Sequence, residues 1–215
     1  MAAIKKSSLV DQVYQTLREE ILTLQRPLGS RLNVSELQGE LEVSCTPIRE
    51  AVNRLQQEGL VCYETNVGAT VLALGAHDVE EIEYLAVTLH CAAVRLAMER
   101  ADHGELAAQL SKSLEEYHKA KSVHAQVMAV NHFIGVFYHS CGNRRLDRSM
   151  ISIQGQQLLL RYLYATQGAD RVRDGADYQA ILAAVHAGDA DGVCRILTEN
   201  AARMRGPIIA ALRQG

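Results

Sequence analysis

The chain has 215 residues, 48% of them hydrophobic and 22% charged, with a formal net charge of −3. That length exceeds one typical domain and supplies apolar material for two cores, while no apolar run is long enough for a membrane-spanning helix. No signal peptide is visible, and the five cysteines at 45, 62, 91, 141 and 194 follow no metal-ligand spacing, so a reduced, cytoplasmic setting is expected.

From Val10 to Leu24 the apolar positions Val10, Val13, Tyr14, Leu17, Ile21 and Leu24 recur at helical spacing, which predicts a first helix with one core-facing side. Pro27 and Gly29 stop it. Val34 to Leu41 reads as a short second helix, with Asn33 or Ser35 as cap and Leu37 and Leu41 pointing inward. A third helix is expected from about Thr46 to Glu58. Ser44 is a good N-cap for it, and Pro47 falls in the first turn, where its missing N–H costs nothing. It buries Ile48, Val52 and Leu55 and leaves Arg49, Asn53 and Gln56 on the opposite, polar side. After Gly59, Leu60–Thr65 and Ala69–Leu74 read as two short strands around the turn residues Asn66, Val67 and Gly68. Three short helices and a hairpin make a winged helix-turn-helix over residues 7–74, whose third helix would enter a DNA groove.

A linker at 75–78 leads into an all-helical second half, 79–213, with helices expected near 78–101, 103–120, 123–140, 144–166, 169–186 and 189–213. Asp78 is a plausible cap for the first, and Gly104, Gly142, Gly168 and Gly188 punctuate the others. Phe133 and Phe137 stand one helical turn apart and read as core packing. The segment Ser152–Gly168, with Leu158, Leu159, Leu160, Leu163, Tyr162 and Tyr164, is apolar nearly all round and should be buried on most sides. Arg144, Arg145, Arg148, Arg161, Arg171 and Arg173 read as a solvated or ion-paired face, as do Arg203, Arg205 and Arg213 near the last helix end. The expected fold is therefore mainly α: a winged helix-turn-helix with a small β-hairpin wing, then an all-α bundle.

Charge bears on function. Through Leu74, seven basic residues (Lys5, Lys6, Arg18, Arg26, Arg31, Arg49, Arg54) face nine acidic ones (Asp11, Glu19, Glu20, Glu36, Glu40, Glu42, Glu50, Glu58, Glu64), a net −2. Such a total is unusual for a DNA binder, so affinity would rest on a local surface of Lys5, Lys6, Arg31, Arg49 and Arg54, presented twice by a dimer. No serine–histidine–aspartate series, phosphate loop, HExxH or CxxC motif is present, which argues against an enzyme.

Residues 7–74 resemble the DNA-binding domain of the GntR family of bacterial regulators. The matching segments are Leu-Gly-Ser-Arg-Leu at 28–32, Glu36-Leu37, Val-Ser-Cys-Thr-Pro-Ile-Arg-Glu-Ala at 43–51, Arg54-Leu55, Glu58-Gly59-Leu60-Val61 and Gly68. The resemblance implies that Arg31, Ser44, Thr46, Arg49 and Gly68 lie at the DNA surface; Cys45 and Asn53 join them as candidates by position. Cys45 stands where the family usually has a second arginine, a loss of roughly 1–3 kcal/mol if that arginine made a good bidentate contact. Leu28 stands where proline is usual. The cysteines read as ordinary thiols, with oxidation sensing by Cys45 as the less favoured alternative.

Residues 78–213 resemble the helical effector-binding (FCD-type) domain of the FadR subfamily, through Ser140-Cys141-Gly142-Asn143 and Ala180-Ile181-Leu182-Ala183-Ala184 followed by Ala187-Gly188-Asp189. Most relatives hold a divalent metal there with one aspartate and three histidines, and the metal binds an organic acid. Those four positions fall on Val130, Ile134, Tyr178 and Asn200, so no metal and no other cofactor is expected. His132 and His139 lie about 10 Å apart along the helix axis and cannot easily share an ion; His186 is the third histidine near these positions. An Arg and Glu frequent on the first bundle helix are replaced by Ala86 and His90. The candidate effector residues are thus Val130, Ile134, Asn143, Tyr178, Asn200, Ala86 and His90, a lining suited to a neutral, fatty, aromatic or acyl-bearing ligand. Alternatively, Tyr178 and Asn200 bond each other and fill the space.

The resulting expectation is a homodimeric, cytoplasmic, ligand-responsive regulator, repressor or activator, that binds a double-stranded operator and uses no membrane. The alternative is an interaction or ligand-binding module with weak or lost DNA binding.

Overall fold

The computed structural model describes residues 8–167 and 169–213, so Lys5, Lys6 and Gly168 lie outside the described residues. The chain divides into two compact units: one is the chain through Leu74 together with Gln154–Leu159, the other is Gly75–Ile153 with the chain from Leu160 onward.

In the first unit, α1 (Leu9–Leu22), α2 (Val34–Leu41) and α3 (Cys45–Gln57) precede a hairpin of β1 (Val61–Glu64) and β2 (Gly68–Val71). Helix α1 starts at a capping box in which Ser8 and Asp11 satisfy each other's backbone N–H groups. Asn33 caps α2 by accepting the Ser35 N–H at 2.9 Å. Ser44 occupies the N-cap position of α3, but its side chain makes no capping hydrogen bond. Val13, Leu17 and Ile21 of α1 and Ile48, Val52 and Leu55 of α3 form the core, as their periodicity predicts. The strands are shorter than the sequence reading suggested because pairing stops after Val61↔Val71 at one end and Glu64↔Gly68 at the other. Asn66 (φ 66°) and Gly68 (φ 98°) take the left-handed conformations that close the turn.

Residues 29–32 run alongside β2. Gly29 donates to the Val71 carbonyl at 3.1 Å, Val71 to that of Ser30 at 2.8 Å, and Leu32 to that of Ala69 at 2.8 Å. Arg31 is thereby fixed opposite Thr70 at the wing.

The second unit is built from α4 (Ala76–Arg100), α5 (His103–Lys119), α6 (Val123–Ser140), the ends of α7 (Arg144–Thr166), α8 (Arg171–His186) and α9 (Ala190–Leu212). Most of these helices start at a side-chain cap: Asp102, Ser122, Asn143, Asp170 and Asp189 each accept a backbone N–H of the following turn. At α4, Asp78 lies three residues past the N-cap, and its carboxylate takes the Gly75 N–H at 2.6 Å. Gly142 (φ 63°) and Gly188 (φ 70°) close α6 and α8, whereas Gly104 sits inside α5. Phe133 and Phe137 belong to one hydrophobic core with Val94, Leu110, Ile181 and Leu197. No helix among the described residues is long and apolar enough to cross a membrane.

Candidate nucleic-acid interface and bundle interior

The first unit carries an open groove of about 370 Å³ lined by Arg31, Leu32, Asn33, Val34, Arg49, Asn53, Tyr63, Val67, Gly68 and Ala69. The fold brings Arg31 from the strand-like segment, Arg49 and Asn53 from one face of α3, and Gly68 from the wing to a single concave surface. Ser44, Cys45 and Thr46 are not in that lining; they mark the start of α3, where Ser44 and Thr46 are exposed. Cys45 has a definite role: its Sγ accepts a hydrogen bond from Arg49 Nε at 3.0 Å, one helical turn away. Tyr63, 49% exposed on β1, was not expected at the groove, because a four-residue strand offers too little alternation to mark its faces.

The distribution of ion pairs explains how an acidic unit presents a basic groove. Arg18 pairs with the buried Glu58 at 2.6 Å, Arg26 with Glu20 at 2.5 Å and Glu40 at 2.6 Å, and Arg54 with Asp11 at 2.7 Å. Arg54 also stacks over the Tyr14 ring at 4.1 Å. Arg54 thus ties α3 to α1 and, unlike Arg31 and Arg49, is already paired with an acid. Among the described residues no ion pair engages Arg31 or Arg49. The Asp11 carboxyl is held down to about 2, chiefly by the Arg54 hydrogen bond.

The bundle interior holds a cavity bordered by Tyr117, Gln126, Val130, Arg161, Asp174 and Tyr178. The space within it is about 20 Å³, room for one water-sized group. Arg161 departs from the sequence reading, which placed it on a solvated or ion-paired face. The residue is half-buried and its charged end lies deep among packed atoms, where desolvation lowers the guanidinium pKa. The Tyr178 hydroxyl lies beside it and offsets part of that lowering, and no carboxylate forms an ion pair with it among the described residues. An almost uniformly apolar helix gives no contrast from which the direction of one arginine can be read.

The other candidates separate. Val130 and Tyr178 border the cavity, whereas Ile134, Ala86 and His90 do not; they are buried, and His90 Nδ1 meets the Tyr138 hydroxyl at 2.9 Å. Asn143 caps α7, its Oδ1 accepting from Arg145 N at 3.1 Å and Leu146 N at 3.2 Å, so that oxygen is committed to the backbone. Asn200 donates to Asp177 at 3.1 Å, within a network where Arg203 binds Asp174 at 3.0 Å and also Asp177. Desolvation raises the pKa of Asp174, against the opposing pull of Arg203. Arg205 pairs with the buried Glu83 at 2.9 Å, and Arg171 donates to the Tyr117 and Ala120 carbonyls at the end of α5.

The four positions at which the resemblance implied a metal site carry a poor donor set. Val130 and Ile134 have no donor atom, and burial raises the pKa of the Tyr178 hydroxyl beside a guanidinium. His132 faces Glu116 at 3.2 Å on the surface, and His139 donates to its own helix at Gly135. Among the described residues no three His, Cys, Asp or Glu side chains converge on one point.

Comparison with known proteins divides the chain at the same place. Residues 9–71 match the model described as bacterial regulatory proteins, gntR family, and residues 81–203 match the FCD domain. The HTH-type transcriptional regulator McbR of Escherichia coli (strain K12) is 29% identical over 91% of this chain and 90% of its own length. The HTH-type transcriptional regulator YdhC of Bacillus subtilis (strain 168) is 37% identical over 51% of this chain, a match spanning about half (48%) of that protein. The solved structure of E. coli McbR/YncC superposes with a TM-score of 0.69 over 97% of this chain and 99% of that one, at 29% identity. A putative GntR regulator from Rhodococcus sp. RHA1 shares the fold at a TM-score of 0.71, with 21% identity over 95% of this chain and 99% of that one. The relatives are named as transcriptional regulators rather than as enzymes.

Proposed function

Because the chain belongs to the gntR family of bacterial regulatory proteins and carries an FCD domain, we propose that it is a dimeric transcription regulator that reads operator DNA with α3 and the wing and responds to a small molecule in its bundle. The groove lined by Arg31, Arg49, Asn53 and Gly68, with neither arginine engaged in an ion pair among the described residues, is the observation that carries this reading. Arg31 suits a phosphate. Arg49, steadied through Nε by Cys45, keeps its terminal nitrogens for a guanine edge or a phosphate. The N-terminus of α3, with the exposed hydroxyls of Ser44 and Thr46, favours a further phosphate. Two such cations per protomer make a weak anchor, and a twofold dimer doubles it across successive half-sites.

The enclosed guanidinium of Arg161 favours a ligand with an anionic group over the neutral or acyl ligand expected from sequence, and the donor set around Tyr178 and Asn200 supports a cavity that works without a metal ion. The present space admits one water-sized group, so a larger ligand must displace side chains as it enters. Its preference for the expanded bundle over this one is what shifts the regulator between states.

The test is fluorescence anisotropy on fragments from upstream of the protein's own gene, with the oligomer measured by sedimentation. Affinity should fall about 100-fold between roughly 50 and 200 mM salt for about four phosphate contacts in a dimer. Absence of a salt-dependent signal on every fragment overturns the regulator reading and favours an interaction module. Stoichiometric zinc, nickel or manganese in purified protein overturns the metal-free cavity.

A further inference from the structure

Cys91 on α4 and Cys194 on α9 are separated by 103 residues in sequence, yet they face each other where these two helices pack. The Cys91 Sγ lies 3.9 Å from the Cys194 carbonyl oxygen, and the Cys194 Sγ lies 3.8 Å from that of Cys91. This reciprocal contact sets the two side chains across one crossing, each sulfur beside the other residue's backbone carbonyl. A disulfide requires a close backbone approach of its two residues, and here each sulfur lies within 4 Å of the other residue's carbonyl oxygen. Cys91 is half-buried and reachable, whereas Cys194 is 6% exposed.

The surroundings give the two sulfurs unequal roles. The Cys194 hydrogen bond, reinforced by the Arg95 charge and by Thr198, lowers the Cys91 thiol to about 7, and the same hydrogen bond raises that of Cys194. Arg95 is itself steadied by Asp191 at 2.9 Å. The other cysteines lack this arrangement: the Cys45 sulfur binds Arg49, Cys62 is exposed on β1, and the buried Cys141 donates to the Tyr138 carbonyl at 3.1 Å.

We propose that Cys91 and Cys194 form an oxidisable dithiol that closes to an intramolecular disulfide, tying α4 to α9, when the protein meets a hydroperoxide. The Cys91 thiolate attacks the terminal peroxide oxygen; an S–O bond forms, the O–O bond breaks, and the leaving oxide takes a proton to depart as water or an alcohol. The Cys194 thiol then attacks the sulfenic sulfur, the S–S bond forms, and hydroxide leaves with the Cys194 proton as water. Two thiols lose two electrons in total, and the peroxide gains them.

Full-length protein treated with stoichiometric hydrogen peroxide, digested without reductant and mapped by mass spectrometry, should yield one cross-linked peptide pair joining Cys91 to Cys194, lighter by two hydrogens and reopened by dithiothreitol. In Cys194→Ser the resolving sulfur is gone, so labelling of Cys91 by a sulfenic-acid trap should rise at least tenfold over wild type. Cys194→Ala is the second variant if the serine disturbs packing, with circular dichroism confirming the fold of each. Oxidation that settles on Cys45 or Cys62, sulfinic acid on Cys91 with Cys194 still reduced, or equal trap labelling in wild type and variants overturns the proposal. None of these readouts depends on DNA binding.

Discussion

The two units use arginine in opposite ways. In the winged unit, Arg18, Arg26 and Arg54 are spent on acidic neighbours within the fold, which leaves Arg31 and Arg49 exposed in the groove. In the bundle, Arg203 is tied to Asp174 and Asp177, while Arg161 is drawn inside with no ion pair among the described residues. A surface cation costs little to keep and meets phosphate in water. A buried one is costly unless paired, and one without an ion pair of its own can gain from an anion brought in from outside.

This contrast can be broken in order of expected effect. Removing the acid from the paired interior arginine comes first: Asp174→Ala leaves Arg203 only Asp177 and should cost about 3 kcal/mol in urea unfolding. A loss near zero would mean the network is solvated. Next, Arg49→Ala should weaken operator binding by about 1–3 kcal/mol, roughly 10- to 100-fold in anisotropy, without changing the unfolding midpoint. Unchanged affinity would remove α3 from the interface. Third, Arg161→Met should stabilise the protein by about 1 kcal/mol, because an apolar side chain of similar length replaces an enclosed charge, while any response to anionic ligands is lost. A destabilised Arg161→Met would mean the cation serves the fold. The smallest effect belongs to the exposed pair Asp11–Arg54. The folded Asp11 pKa is depressed, so its contribution is present above the ordinary carboxylate range near pH 4 and is lost as pH falls toward about 2. Asp11→Asn should flatten acid unfolding in that window and barely move the midpoint at neutral pH.

Much of the fold was legible along the chain because its signals are local. Apolar spacing, caps such as Asn33 and Asp102, and the left-handed positions Gly142 and Gly188 each act within a turn or two, and the element bounds follow them closely. The groove was partly legible for the same reason, since Arg49 and Asn53 share a helix face opposite Ile48 and Val52. Tyr63 was not, because its place depends on how the wing meets α3.

Sequence by itself determined a winged unit followed by a helical bundle and the face of α3 that stays polar. Only the tertiary structure decided which cations remain available, that Arg161 points inward, and that Cys91 meets Cys194. Periodicity fixes which side of a helix is buried. The partner of a charge or a thiol is fixed by which helices cross and at what height, a property of packing among segments far apart in the chain.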